Sequence, residues 1–181
     1  LLLRCLNRLT SALVNAQSVC SDPTDINEFI LTDEIDLLFV TETWLKGDER
    51  DDVILAELLP PNYKILHQAR KNSKGGGGVA VIHRGDLSVK LCSSKQYESF
   101  EHILTKLTSG SMTYHVITLY RPPPNSKNKL SNSEFLREFA DLLAEIVLLK
   151  GELIVLGDFN IHVNKSSNNY SQQFISLYES F

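Results

Sequence analysis

A chain of 181 residues, 43% hydrophobic and 22% charged, has the size and composition of one globular domain around one core. Eighteen Lys and Arg stand against 22 Asp and Glu, a net charge of −4, which excludes the global basic field of a nonspecific nucleic-acid binder. Any polyanion must be met by a local patch or by a metal. The longest apolar runs fall far short of the roughly 18 residues of a membrane span, and Cys5, Cys20 and Cys92, odd in number and without a C-x-x-C pair, support neither a disulfide framework nor a zinc site.

The opening Leu1-Leu2-Leu3-Arg4-Cys5 is too brief for the apolar core of a signal peptide, so the expectation is an unsecreted chain in a reducing compartment. The absence of an initiator Met and the apolar pattern running up to Phe181 suggest an excerpt from something longer.

In chain order, Ala12 to Asn15 is a short candidate strand, and Asp22-Pro23 then forms an N-cap and first-turn pair for a helix with Ile26, Phe29 and Ile30 at helical spacing. Asp36 to Glu42 has the apolar, β-branched character of a buried strand. The acidic run Asp48 to Asp52 reads as a loop, and Tyr63 to His67 is a second short candidate strand. The stretches 71–78, 122–132 and 164–169 read as loops. Val79 to His83 is another buried strand. Phe100 to Leu107 and Tyr114 to Tyr120 are expected to pair as a hairpin across Ser109-Gly110. Ser133 to Lys150 carries the stripe Phe135, Phe139, Leu142, Leu143, Ile146 and Leu149 behind a capping box at Ser131 and Glu134. Leu153 to Leu156 is a strand closed by Gly157, and a last amphipathic segment places Phe174, Leu177, Tyr178 and Phe181 on one face. Strands interleaved with helices, plus a hairpin, predict a mixed α/β domain.

Polar residues at the carboxyl ends of buried strands are the candidates for chemistry, because that edge gathers ligands in α/β sheets. Asn15, Glu42, Tyr120 and Asp158 each follow an apolar run, and Asp158 and Asn160, two apart, face one way in an extended chain. Singly, Glu42 reads as a solvated edge or an N-cap, Asn15 as a turn residue and Tyr120 as a half-buried ring. Together, hard oxygens, an amide and a phenol suit a divalent metal and a phosphate. Gly75 to Gly78 lacks the Gly-Lys-Ser/Thr of a phosphate loop and reads as a turn. Lys64, Arg70, Lys71, Lys74, Arg121, Lys127 and Lys129 could line a DNA groove or be solvated loop charge. His67, His83, His102 and His115 have no metal-ligand spacing and read as structural, and His162 as a solvated loop residue.

The order Leu13-Val14-Asn15-Ala16-Gln17-Ser18, Thr41-Glu42-Thr43-Trp44-Leu45, Gly76-Gly77-Gly78-Val79, Leu119-Tyr120-Arg121-Pro122-Pro123 and Gly157-Asp158-Phe159-Asn160 resembles the endonuclease/exonuclease/phosphatase superfamily. Within it, the chain is most similar to the apurinic-type endonuclease domain of LINE (non-LTR) retrotransposons. The resemblance implies a four-layer α/β sandwich, two mixed β-sheets flanked by helices, over residues 1–181, incomplete at the C-terminal end. It implies Mg²⁺, or Mn²⁺ in its place, at Glu42 with Asn15 beside it. Tyr120, Asn160 and Arg121 would contact the scissile phosphate, and Asp158 would orient or deprotonate the attacking water. DNA is the implied partner, together with a fused or co-encoded reverse transcriptase and no membrane, in an intracellular protein that is nuclear when acting on DNA. The family closes its site with an Asp and a Ser-Asp-His motif, and the residues after Asn160 contain neither. The 181 residues by themselves are therefore expected to be inactive, and the alternatives are an inactive truncated remnant of such a domain or another phosphodiesterase or phosphatase of the superfamily.

Overall fold

The computed structural model describes residues 9–70, 76–125, 130–164 and 168–181. Strand β1 (Ser11–Asn15) leads through helix α1 (Pro23–Thr32) to β2 (Leu37–Thr41), which pairs with β1 in parallel, Asn15 opposite Thr41. A 3-10 turn at Glu49–Asp51 and helix α2 (Asp52–Leu58) precede β3 (Tyr63–Gln68) and β4 (Val79–Arg84), and the first sheet has the order β1-β2-β4-β3. Strands β5 (Ser88–Cys92), β6 (Glu101–Ser109) and β7 (Met112–Tyr120) form an antiparallel meander. Helix α3 (Asn132–Ile146) then crosses back so that β8 (Glu152–Asp158) lies parallel to β7, and α4 (Asn169–Glu179) follows.

The layers follow from the two-residue period of the strands. One face of the first sheet packs Leu38, Val40, Ala80 and Ile82 beneath α1 and α2, around Ile30 and Leu58. Its other face meets the second sheet through Leu37, Phe39, Val79 and Val81 against Ile103, Leu107, Val116 and Tyr120. The outer face of the second sheet lies under α3 and α4, where Phe100, Phe135, Phe139 and Phe174 make stacked and edge-on ring contacts 5.5 to 6.4 Å apart. Removing a buried ring such as Phe139 from a layer of this kind costs roughly 3–5 kcal/mol. The four-layer sandwich of two mixed, helix-flanked sheets is the expected fold class. Among the described residues no helix is long and apolar enough to cross a membrane.

Several elements differ from their sequence reading. The acidic run is not a loop: Asp51 is buried and accepts the backbone N–H groups of Lys46 and Gly47, and Asp52 opens α2. Strand β5 went unread because its short edge pattern exposes more than it buries. Helix α3 stops at Ile146 rather than Lys150, leaving Val147, Leu148 and Leu149 exposed before the turn at Gly151. Ser131 caps it as expected, accepting the Glu134 N–H at 3.1 Å, whereas Asp22 takes the Thr24 hydroxyl at 2.8 Å and leaves the backbone of α1 uncapped. Of the apolar face of α4, Phe174 and Leu177 pack inward, while Tyr178 and Phe181 are exposed. The expected hairpin forms with its turn one residue later than read, Ser109 pairing with Met112 across Gly110-Ser111, with Gly110 in the left-handed region.

Candidate active site

Each sheet contributes one parallel pair, β1 with β2 and β7 with β8, and the carboxyl ends of all four strands meet. The Asn15 amide, at the end of β1, donates to Glu42 Oε1 at 2.8 Å and to Asp158 Oδ2 at 2.8 Å, joining residues 143 apart in sequence. Glu42, just past β2, and Asp158, ending β8, are thus brought to opposite sides of one side-chain amide. Asn15 Oδ1 accepts the Gln17 N–H at 3.1 Å, so in this arrangement the residue bridges the carboxylates and does not turn its oxygen toward them.

The backbone around these groups is held in place from both sides. The pairing of β1 with β2 continues past both strands: Ala16, Ser18 and Val19 donate to the carbonyls of Thr41, Glu42 and Thr43 at 2.9 to 3.0 Å. Gln17, Ser18, Glu42, Trp44 and Asn160 all have positive φ, a rare conformation for residues other than glycine, and one that persists where surrounding structure imposes it. Asp158 Oδ1 accepts the Asn160 N–H at 3.0 Å, and the Asn160 side-chain amide donates to the Arg121 carbonyl at 2.7 Å. The Arg121 N–H in turn reaches the Asp158 carbonyl at 2.9 Å, which locks the ends of β7 and β8 together.

Tyr120 ends β7 and is buried between the sheets. Burial, the negative charge of Glu42 and a hydrogen bond to that carboxylate raise its pKa far above the usual phenol value, so at neutral pH the hydroxyl keeps its proton and acts as a donor. Two further residues support this corner, Glu101, unmarked in the sequence reading, and Arg70, one of the candidate groove cations. Glu101, opposite Tyr120 in the β6–β7 register, accepts the Arg70 Nε–H and the Gly78 N–H, the latter at 2.5 Å. The Arg70 guanidinium carbon lies 5.8 Å from the Tyr120 ring centroid. The signal for Glu101 was a charged residue at the start of an otherwise apolar strand.

Arg121 departs from its expected substrate contact. It is 1% exposed, and its guanidinium donates to Asn132 Oδ1 at 2.6 Å and to the Phe159 carbonyl at 3.3 Å. It also lies 4.6 Å from the Phe135 ring centroid and 5.3 Å from that of Tyr170. A buried cation packed against two rings under α3 and α4 fastens the helices to the end of β7. Of the other candidate cations, Lys64 is exposed on β3, and Lys71, Lys74, Lys127 and Lys129 lie outside the described residues, as does Gly75. His83, His102 and His115 are buried on strands, and His162 is exposed.

Among the described residues no three His, Cys, Asp or Glu side chains form a metal cage. The oxygen donors at the strand ends are the Glu42 and Asp158 carboxylates, hard oxygens that fit a cation keeping several of its waters, as Mg²⁺ does, while the Asn15 oxygen faces Gln17.

The family description Endonuclease/Exonuclease/phosphatase family matches residues 12–174. The fold is similar to that of the endonuclease domain of TRAS1, a telomere-specific non-LTR retrotransposon, with a TM-score of 0.68 at 10% identity, covering 95% of this chain and 71% of that one. It is similar as well to an AP endonuclease from Archaeoglobus fulgidus, TM-score 0.66 at 19% identity, covering 95% and 70%. The AP endonuclease LMAP from Leishmania major gives a TM-score of 0.70 at 12% identity, covering 94% and 66%. Comparison with curated proteins gives no match.

Proposed function

The chain belongs to the endonuclease/exonuclease/phosphatase family, whose members are hydrolytic nucleases and phosphatases and generally depend on a divalent metal. From that premise we propose that it is the Mg²⁺-dependent DNA endonuclease domain of a LINE-type retrotransposon, nicking one strand by phosphodiester hydrolysis. The observation that carries this reading is the Asn15 amide bridging Glu42 and Asp158 from different sheets. The order of the Thr41-to-Leu45 and Leu119-to-Pro123 motifs and the similarity of fold to a retrotransposon endonuclease domain support the finer assignment.

In this reading Glu42 holds the cation, which when bound offsets charge on the phosphoryl oxygens. Asp158 orients a water for in-line attack on phosphorus and takes its proton. The P–O3′ bond breaks, the leaving O3′ takes a proton from solvent, and the 3′-hydroxyl so formed primes reverse transcription by a fused or co-encoded enzyme. Tyr120, kept protonated, and Asn160 donate to the phosphate. Such a protein works inside the cell, and in the nucleus when it meets chromosomal DNA.

Supercoiled plasmid incubated with the whole protein and Mg²⁺ is expected to accumulate open circles, sensitive to EDTA, and calorimetry is expected to show Mg²⁺ or Mn²⁺ binding. Glu42→Gln keeps the shape of the side chain and removes its charge, and should abolish both. Metal binding and nicking that are equal in Glu42→Gln and the parent would remove Glu42 from this role. The alternative reading is a folded remnant of such a domain without turnover. Metal binding without nicking selects it.

A further inference from the structure

Trp44 is the one tryptophan of the chain, and its side chain stands 41% exposed two residues beyond Glu42. Burial alternates through the segment, Thr41, Thr43 and Leu45 turning inward while Glu42 and Trp44 turn outward, so the ring and the carboxylate share the outer face. A single exposed apolar residue is ordinary. This one is held out by strained backbone, since Glu42 has φ 56° and Trp44 φ 61°, and the Trp44 N–H is tied to the Gly77 carbonyl at 2.8 Å. A packing role would have been served by turning the indole inward.

The ring has company. A methyl group placed on Gly76 would touch the indole Cε2 and Nε1 at 3.6 Å and the Arg70 Nη1 at 3.7 Å, so indole and guanidinium flank the same glycine. Arg70 then continues to the Tyr120 ring. An exposed aromatic face beside a cation, running toward two bridged carboxylates, has the composition of a single-strand platform, on which bases stack without regard to sequence.

We propose that Trp44 is the stacking platform for an unpaired nucleobase of the strand being cut, next to the scissile phosphate and beside Arg70. This deepens the endonuclease reading and rests on it. Because every base has a π face, the platform selects for an unstacked base and not for its identity.

With no other tryptophan in the chain, emission excited at the red edge of the indole band, where the six tyrosines scarcely absorb, reports on this residue alone. The protein is titrated in EDTA with a twelve-residue oligothymidylate and with an oligomer of the same length whose sugars carry no bases, so that charge is equal and only stacking differs. The thymidylate is expected to quench emission and to bind about tenfold more tightly than the abasic oligomer. Trp44→Ala should remove that preference, and Trp44→Phe should restore part of it. Equal affinity for the two oligomers with plasmid nicking intact overturns the platform and leaves the endonuclease reading standing, as does an undiminished base preference in Trp44→Ala. Failure of either oligomer to bind, with plasmid untouched, overturns both.

Discussion

Glu42 and Asp158 repel one another wherever neither a cation nor a donor lies between them, and the Asn15 amide is the donor that makes their approach tolerable. Its neutral NH₂ group holds both oxygens in place without occupying the site with charge. A buried residue elsewhere makes the protein sensitive to acid. His102, fully buried on β6, has its Nε2 against the Ser94 hydroxyl at 2.9 Å, while its Nδ1 has no partner, and the Tyr97 and Phe100 rings pack beside it. Burial lowers its pKa from 6.5 to about 4. Between those values the unfolded chain binds a proton that the folded one refuses, so stability is full above about pH 6.5 and falls as the pH drops toward 4. The loss between pH 7 and pH 5 is expected to be roughly 2 kcal/mol from this group, and His115, whose pKa is lowered by burial and by Lys106, acts in the same direction. Urea midpoints at the two pH values check it: His102→Leu should make the difference smaller, and an unchanged difference would show that the imidazole is not the group responsible.

Among the elements, β8 most directly couples fold to site. It lies parallel to β7, with Gly157 opposite Leu119 and Asp158 opposite Tyr120. Gly157 has φ 151°, and a Cβ there would stand 1.9 Å from the Leu119 carbonyl oxygen, a clash with backbone that no rotamer relieves. Gly157→Ala must therefore push the end of β8 away from β7 and carry Asp158 away from Asn15. The expected result is a loss of about 2 kcal/mol or more in urea unfolding, accompanied by weaker metal binding than Ser131→Ala. The latter loses a comparable helix cap, worth about 1 kcal/mol, far from the strand ends. Equal metal affinity in the two variants would separate β8 geometry from the site.

Across the whole molecule the two ends of the sandwich differ. The carboxyl ends of the parallel strands are covered by polar side chains. At the amino ends an apolar groove opens between the sheets, lined by Leu37, Phe39, Tyr114, Val116, Ile154 and Leu156 among others. Among the described residues, strands β1 and β8 are edges of their sheets, with Leu13, Leu153 and Ile154 between 36% and 43% exposed. An unpaired edge carrying exposed apolar residues is a template for association with another chain. Light scattering should accordingly show concentration-dependent self-association near neutral pH, and Ile154→Lys, a charge on that edge, should reduce it with little loss of stability. Unchanged scattering would place the sticky surface elsewhere.

The strand ends were legible in the sequence because an apolar run closed by a polar residue is a local pattern, and Asn15, Glu42, Tyr120 and Asp158 each show it. So were the β6–β7 hairpin and the start of α3, both set by neighbours within a few residues. What no local pattern could decide was which group meets which across 143 residues. That Asn15 turns its amide to both carboxylates, that Glu101 ties Arg70 and Gly78 beside Tyr120, and that Arg121 is packed against two rings all depend on the two sheets and two helix layers closing on one another. A charged residue beside a strand end looks the same in sequence whether it faces a ligand or a helix. Only the packing of α3 and α4 over β7 turned Arg121 inward, while the strained turn after β2 turned Trp44 out.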